Sequence, residues 1–136
     1  MYTGSCLCGD VRFEITGEIK DIIHCHCSKC RKAQGSAFAT NGNLDIKHFT
    51  ITHGSKNLTE YQSDKGQYKY FCNRCGSPII SKNINNPSTV RVRLGTIESD
   101  IKEKPEAHIF VSSKASWEDL NDNLPHYNTY NNEAKP

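Results

Sequence analysis

The segments Cys6-Leu7-Cys8, Cys25-His26-Cys27-Ser28-Lys29-Cys30 and Cys72-Asn73-Arg74-Cys75 hold all seven cysteines of this 136-residue sequence. Their spacing decides the fold. In an extended strand, residues i and i+2 face the same side, so Cys6 and Cys8 can point at one ion. A Cys-x-x-Cys turn brings Cys72 and Cys75 together, and Gly76 suits the left-handed backbone that such a turn often needs. The two pairs make a Cys₄ tetrahedral set, which is a closed structural zinc site stapling the first strand to residue 72 and beyond. The middle cluster supplies three thiolates, from Cys25, Cys27 and Cys30. Three protein ligands with one open position is the arrangement of a catalytic zinc, unless His24 or His26 closes the fourth position. Seven cysteines therefore divide as four and three, for two zinc ions per chain. Free or redox-active thiols in the middle cluster, or disulfides, are the alternatives.

The composition shows why a staple is needed. Ile, Leu, Val and Phe total 27 of 136 residues, close to the lower limit for a folded chain. The length suits one domain, expected over residues 1–127, with 128–136 as a tail that lacks periodicity. No apolar run approaches the ~18 residues of a membrane helix. The opening Met1-Tyr2-Thr3-Gly4-Ser5 has no basic stretch followed by an apolar core, so no secretory signal is expected. The expected location is the cytoplasm, where thiols stay reduced and clustered cysteines read as metal ligands or catalysts. A net charge of +2 is too balanced for a nucleic-acid partner.

Short alternations predict a mostly β chain with short helical turns. Val11, Phe13 and Ile15 alternate with Arg12, Glu14 and Thr16. Leu44-Asp45-Ile46, Phe49-Thr50-Ile51 and Tyr68-Lys69-Tyr70 repeat the pattern, as do Val90, Val92 and Leu94. Ala107 to Val111 is another short β run. Only Ser28 to Gln34 and Ser116 to Leu120 read as helical turns. Asn41-Gly42-Asn43, His53-Gly54 and Asn85-Asn86-Pro87 punctuate the strands.

Three motifs carry a family resemblance: Gly4-Ser5-Cys6-Leu7-Cys8-Gly9; Cys25-His26-Cys27-Ser28 with Cys30-Arg31-Lys32; and Phe71-Cys72 with Cys75-Gly76-Ser77. They resemble the glutathione-dependent formaldehyde-activating enzyme (GFA) family, whose domain is shared with centromere protein V. Gly35-Ser36-Ala37-Phe38, His108-Ile109-Phe110-Val111 and Trp117 extend the likeness. The resemblance implies an Mss4-like, zinc-stapled β-sheet domain. It puts a structural zinc on Cys6, Cys8, Cys72 and Cys75 and a catalytic zinc on Cys25, Cys27 and Cys30. It also implies a carbon–sulfur lyase, an S-hydroxymethylglutathione synthase that joins glutathione to formaldehyde through a zinc-bound thiolate.

The remaining candidates surround the middle cluster. Lys29, Arg31 and Lys32 are either a solvated basic face or an anchor for the carboxylates of a glutathione-like thiol. Gln34, Gly35 and Ser36 are possible donors to a peptide-like ligand. His24 and His26 alternate with the cysteines, so both should point away from the Cys25–Cys27 face. Two other functions compete with the enzyme. One is a zinc-stabilised protein-binding module, which needs only the Cys₄ staple. The other is a thiol redox protein, disfavoured because no βαβ pattern surrounds Cys27-Ser28-Lys29-Cys30.

Overall fold

Val11, Phe13 and Ile15 are buried and Arg12 is exposed, so the alternation that predicts a half-buried strand here produces one. The computed structural model describes residues 1–63 and 65–130. The chain divides into two compact units, one of residues 1–20 and 42–103, the other of residues 21–41 and from 104 onward.

In the first unit, β1 (Tyr2–Ser5) pairs antiparallel with β2 (Arg12–Ile15), and β2 pairs with a strand at Phe49–His53. Phe13 and Phe49 meet there with ring centroids 5.2 Å apart. An antiparallel ladder fills the rest of the unit, through Leu58–Gln62, Gln67–Cys72, Pro78–Asn83 and Thr89–Arg93. Ile79, Ile80, Val90 and Val92 are buried on these strands. In the second unit, β3 (Lys20–Cys25) lies between the first part of β4 (Ala39–Asp45) and a parallel strand at Ala107–Ile109. In chain order the remaining strands are thus β5 (Phe49–His53), β6 (Leu58–Gln62), β7 (Gln67–Cys72), β8 (Pro78–Asn83), β9 (Thr89–Arg93) and β10 (Ala107–Ile109). The core of the second unit is Ile23, Cys25, Cys30, Ala39, Ala107 and Ile109.

The fold is mostly β, and among the described residues there is one helix, α1 (Ser28–Gln34), with short 3₁₀ turns. The expected helical turn at 28–34 is there. The one expected at 116–120 is not; the chain makes a simple turn at Ser116–Trp117. Trp117 is exposed, so this stretch has no buried apolar stripe to hold a helix. The expected tail is tied to the fold at its start, through Thr129, as is Tyr127 just before it. Val111 N donates to Tyr127 O at 3.0 Å and Phe110 N to Thr129 O at 2.8 Å. The last six residues of that tail lie outside the described residues. No helix among the described residues is long and apolar enough to cross a membrane.

One glycine ties the end of β5 to the loop that carries Cys8. Gly54 sits at φ +74, and a Cβ there would lie 2.0 Å from the Asp10 carbonyl oxygen. Gly54→Ala is therefore expected to cost about 2 kcal/mol or more, from left-handed strain plus forced backbone displacement. Urea unfolding should show a lower midpoint at an unchanged slope.

Candidate metal centres

The first centre is assembled by two turns of the first unit. Cys6 follows β1, and the chain turns at once. Gly9 N donates to Cys6 O at 3.1 Å, and Cys6 N donates to Val11 O at 3.0 Å. Cys6 and Cys8 therefore converge through a tight turn, not through the extended strand that the i, i+2 spacing predicts. The reason is local: Gly9 takes φ +83 and closes the loop before a strand can continue. Across from it, Cys72 ends β7. Gly76 N donates to Cys72 O at 2.8 Å, and Gly76 adopts the expected left-handed backbone at φ +80.

The sulfurs are close: Cys6 to Cys8 is 3.6 Å and Cys8 to Cys72 is 3.8 Å. All four Sγ atoms, with Cys75, lie within 4.8 Å of one another. A tetrahedral zinc with Zn–S of about 2.3 Å spaces its sulfurs by about 3.8 Å. The donor set therefore fits zinc in both type and spacing. The turns also brace each other, with Leu7 N donating to Ser77 Oγ at 2.8 Å and Arg74 paired with Asp10 at 2.7 Å.

The second centre lies in the second unit. Cys25 ends β3 and is in register with Ile109 of β10. Cys27 is the N-cap of α1, and its Sγ accepts from Cys30 N at 3.3 Å. Here a cysteine does what Ser or Asp usually does at that position. Cys30 projects from the first turn and is buried. The three Sγ atoms lie within 4.8 Å of one another. Hydrogen bonds from the Cys25 and Cys30 thiols hold Cys27 far below the usual thiol range, and hydrogen bonding with Cys27 and Cys30 pushes Cys25 up. Three thiolates this close repel one another, so full deprotonation needs a cation among them. That donor set also fits zinc, with one coordination position left over.

Around this centre the predicted residues divide. Lys29 and Lys32 are exposed. Arg31 Nε and Gln34 Oε1 are buried without a hydrogen-bond partner. Gly35 caps α1, and the amides of Gly35 and Ser36 both donate to Arg31 O, at 2.7 and 3.3 Å. Neither amide is therefore free for a ligand. The Ser36 hydroxyl donates to Phe38 O at 2.7 Å.

The histidines are more enclosed than their alternation suggests. His26 is 0% exposed, and its Nε2 lies 2.8 Å from His108 Nδ1. Burial pushes its pKa down to about 4. His24 Nδ1 lies 2.7 Å from Thr40 Oγ1, and its ring packs on Phe38 at 4.5 Å. Sequence reasoning missed Phe110 and Tyr127, which pack with Cys27 against the core containing Cys25 and Cys30. Phe110 at φ +56 is a bulky residue in a left-handed conformation, which no alternation pattern signals.

Comparison with known proteins places this geometry in context. The family profile described as glutathione-dependent formaldehyde-activating enzyme matches residues 1–113. A Halomonas elongata protein is 31% identical over 129 residues, covering 88% of this chain and 81% of its own. An Emericella nidulans protein is 31% identical over 80 residues, 57% of this chain and 40% of its own length. Both carry the name "Putative glutathione-dependent formaldehyde-activating enzyme". A crystal structure of a Rhodobacter sphaeroides protein superposes with a TM-score of 0.63 at 26% identity, covering 76% of this chain and 97% of that one.

Proposed function

Because the chain belongs to the glutathione-dependent formaldehyde-activating enzyme family, we propose that it joins a small thiol of the glutathione type to an aldehyde of the formaldehyde type. The reaction class is that of a carbon–sulfur lyase. The thiol adds across the carbonyl: sulfur bonds to carbon, and the proton ends on oxygen. One observation carries this reading, the convergence of Cys25, Cys27 and Cys30 within 4.8 Å, one ligand short of a closed tetrahedron. A binding module would need only the four-cysteine staple.

Zinc held by these three sulfurs supplies a soft site at which an incoming thiol gives up its proton. The chain's own part is to hold the three sulfurs in place. Cys25 is fixed by the β3–β10 ladder, Cys27 by its cap on α1, and Cys30 by the helix itself. The partnerless Arg31 Nε and Gln34 Oε1 support these side chains as contacts for a peptide-like thiol. Lys29 offers a cation to its carboxylates. Gly35 and Ser36, with their amides spent on Arg31 O, shape the turn that ends the helix instead. Cys6, Cys8, Cys72 and Cys75 hold the second, structural zinc in this reading, and the site of action is the cytoplasm.

The test is a glutathione titration of the cobalt-substituted protein. Each added sulfur ligand brings charge-transfer absorbance, so the near-ultraviolet band should grow on addition. Apparent affinity should rise about tenfold per pH unit below the thiol pKa, since the thiol binds deprotonated. Adding formaldehyde should then yield the hydroxymethyl thioether by NMR. A spectrum unmoved by glutathione, cysteine and coenzyme A would overturn the thiol mechanism and leave the protein-binding module.

A further inference from the structure

Beside the three-cysteine cluster, on the far side of His26, the second unit gathers a second kind of donor set. His108 is 2% exposed. Its Nδ1 faces His26 Nε2 at 2.8 Å, and its Nε2 faces Asp122 Oδ2 at 2.8 Å. The other carboxylate oxygen of Asp122 lies 3.8 Å from His126 Nε2. One donor atom from each of His108, Asp122 and His126 falls within 4.8 Å of the others.

Backbone hydrogen bonds hold this arrangement. His108 N donates to Pro125 O at 2.9 Å, and Tyr127 N donates to His108 O at 2.9 Å. His126 is thereby zipped alongside His108 as a parallel bridge. Leu124 N donates to Asp122 Oδ1 at 3.1 Å and orients the carboxylate. A lone His–Asp hydrogen bond would need only His108 and Asp122. It gives no reason for a second imidazole aimed at the other carboxylate oxygen.

We propose that His108, Asp122 and His126 form a third metal site, taking an exchangeable first-row divalent ion such as Zn²⁺ through two imidazoles and one carboxylate. Two histidines with one carboxylate are a common donor set for zinc and iron. Ligands about 2.1 Å from a shared tetrahedral ion stand about 3.4 Å apart, and the three donor atoms, already within 4.8 Å of one another, need only side-chain adjustment to reach that spacing. His26 supplies the outer hydrogen bond on His108 Nδ1, which leaves Nε2 as the donor to the metal. His126 and Asp122 are 36% and 47% exposed, so the remaining coordination positions open to solvent and the ion exchanges readily. The proposal does not rest on the thiol chemistry of the cysteine centre.

The test uses the full chain with zinc in both sulfur clusters, cleared of loosely held ions by gel filtration and then titrated with Co²⁺. The parent should take up one further ion, with visible bands of nitrogen and oxygen ligation and no new sulfur charge-transfer band. His126→Ala and Asp122→Asn should each weaken that uptake at least tenfold. His53→Ala, on an exposed histidine of the first unit, should leave it unchanged. His126 is partly exposed, so His126→Ala keeps the test intact should Asp122→Asn unfold. The proposal is overturned by no further uptake in the parent, by equal affinity in parent and His126→Ala, or by uptake that brings sulfur charge transfer.

Discussion

Cys72→Ala is expected to leave the first unit unfolded at ordinary temperature. Its side chain is 0% exposed, and its sulfur lies 3.8 Å from that of Cys8. Binding energy at a structural zinc is folding energy, of order ~10 kcal/mol or more. A domain is stable by only about 5–15 kcal/mol, so losing most of the site consumes the margin. The variant should show collapsed strand signal in circular dichroism and reduced metal content. Cys72→Ser separates the lost ligand from the lost volume and should behave alike. A Cys72→Ala chain that melts with the parent would refute the staple. If Cys72→Ala is milder than Cys27→Ala, the structural and reactive roles belong to the opposite centres.

Cys27→Ala should do the reverse, keeping the fold and losing the chemistry. Removing this sulfur strips the cap from α1, which costs about 1 kcal/mol, and leaves Cys25 and Cys30 as a two-ligand remnant. Metal content should fall by one ion relative to the parent. Thiol–aldehyde turnover should fall by roughly three orders of magnitude, since the group that activates the thiol has gone. Thermal unfolding beside Cys72→Ala makes the comparison. Turnover near the parent level in Cys27→Ala would remove the three-cysteine centre from the reaction.

The parts of this fold that were legible in the sequence are those with local causes. Arg12 to Ile15 and Val90 to Val92 alternate because one face is buried, and each lies in a strand; Tyr68 to Cys72 also forms one, half-buried along its length up to the buried Cys72. Ser28 to Gln34 forms the expected helix between a capping Cys27 and Gly35. Other strands were hidden for physical reasons. In β3, Ile22 and Ile23 are adjacent and both buried, which breaks the period of two. In β8, Ile79, Ile80 and Ser81 are all buried, so a strand covered on both faces shows no alternation. The division of cysteines into four and three was readable from spacing, and the sulfurs gather in those two groups. The enclosure of His26 was not, because it depends on His108, far away in sequence and beside it only through the β10 pairing. The turn at Cys6 to Gly9 was misread as strand, because i, i+2 convergence is common to both.

The parallel pairing of β3 with β10 also sets a timetable. Cys25 finds its register partner only when Ile109 arrives, more than eighty residues later in synthesis. At about 5–20 residues per second, the ribosome takes roughly 4–17 s to deliver it. Until then the Cys25–Cys30 segment, the end of β3 and the start of α1, carries three thiols without the β10 strand beside it. Long-range pairing of this kind folds slowly, because loop closure must come before the contacts that reward it. A newly made chain therefore passes through an interval in which oxidants and the wrong metal ions compete for sulfurs that the finished sheet will enclose.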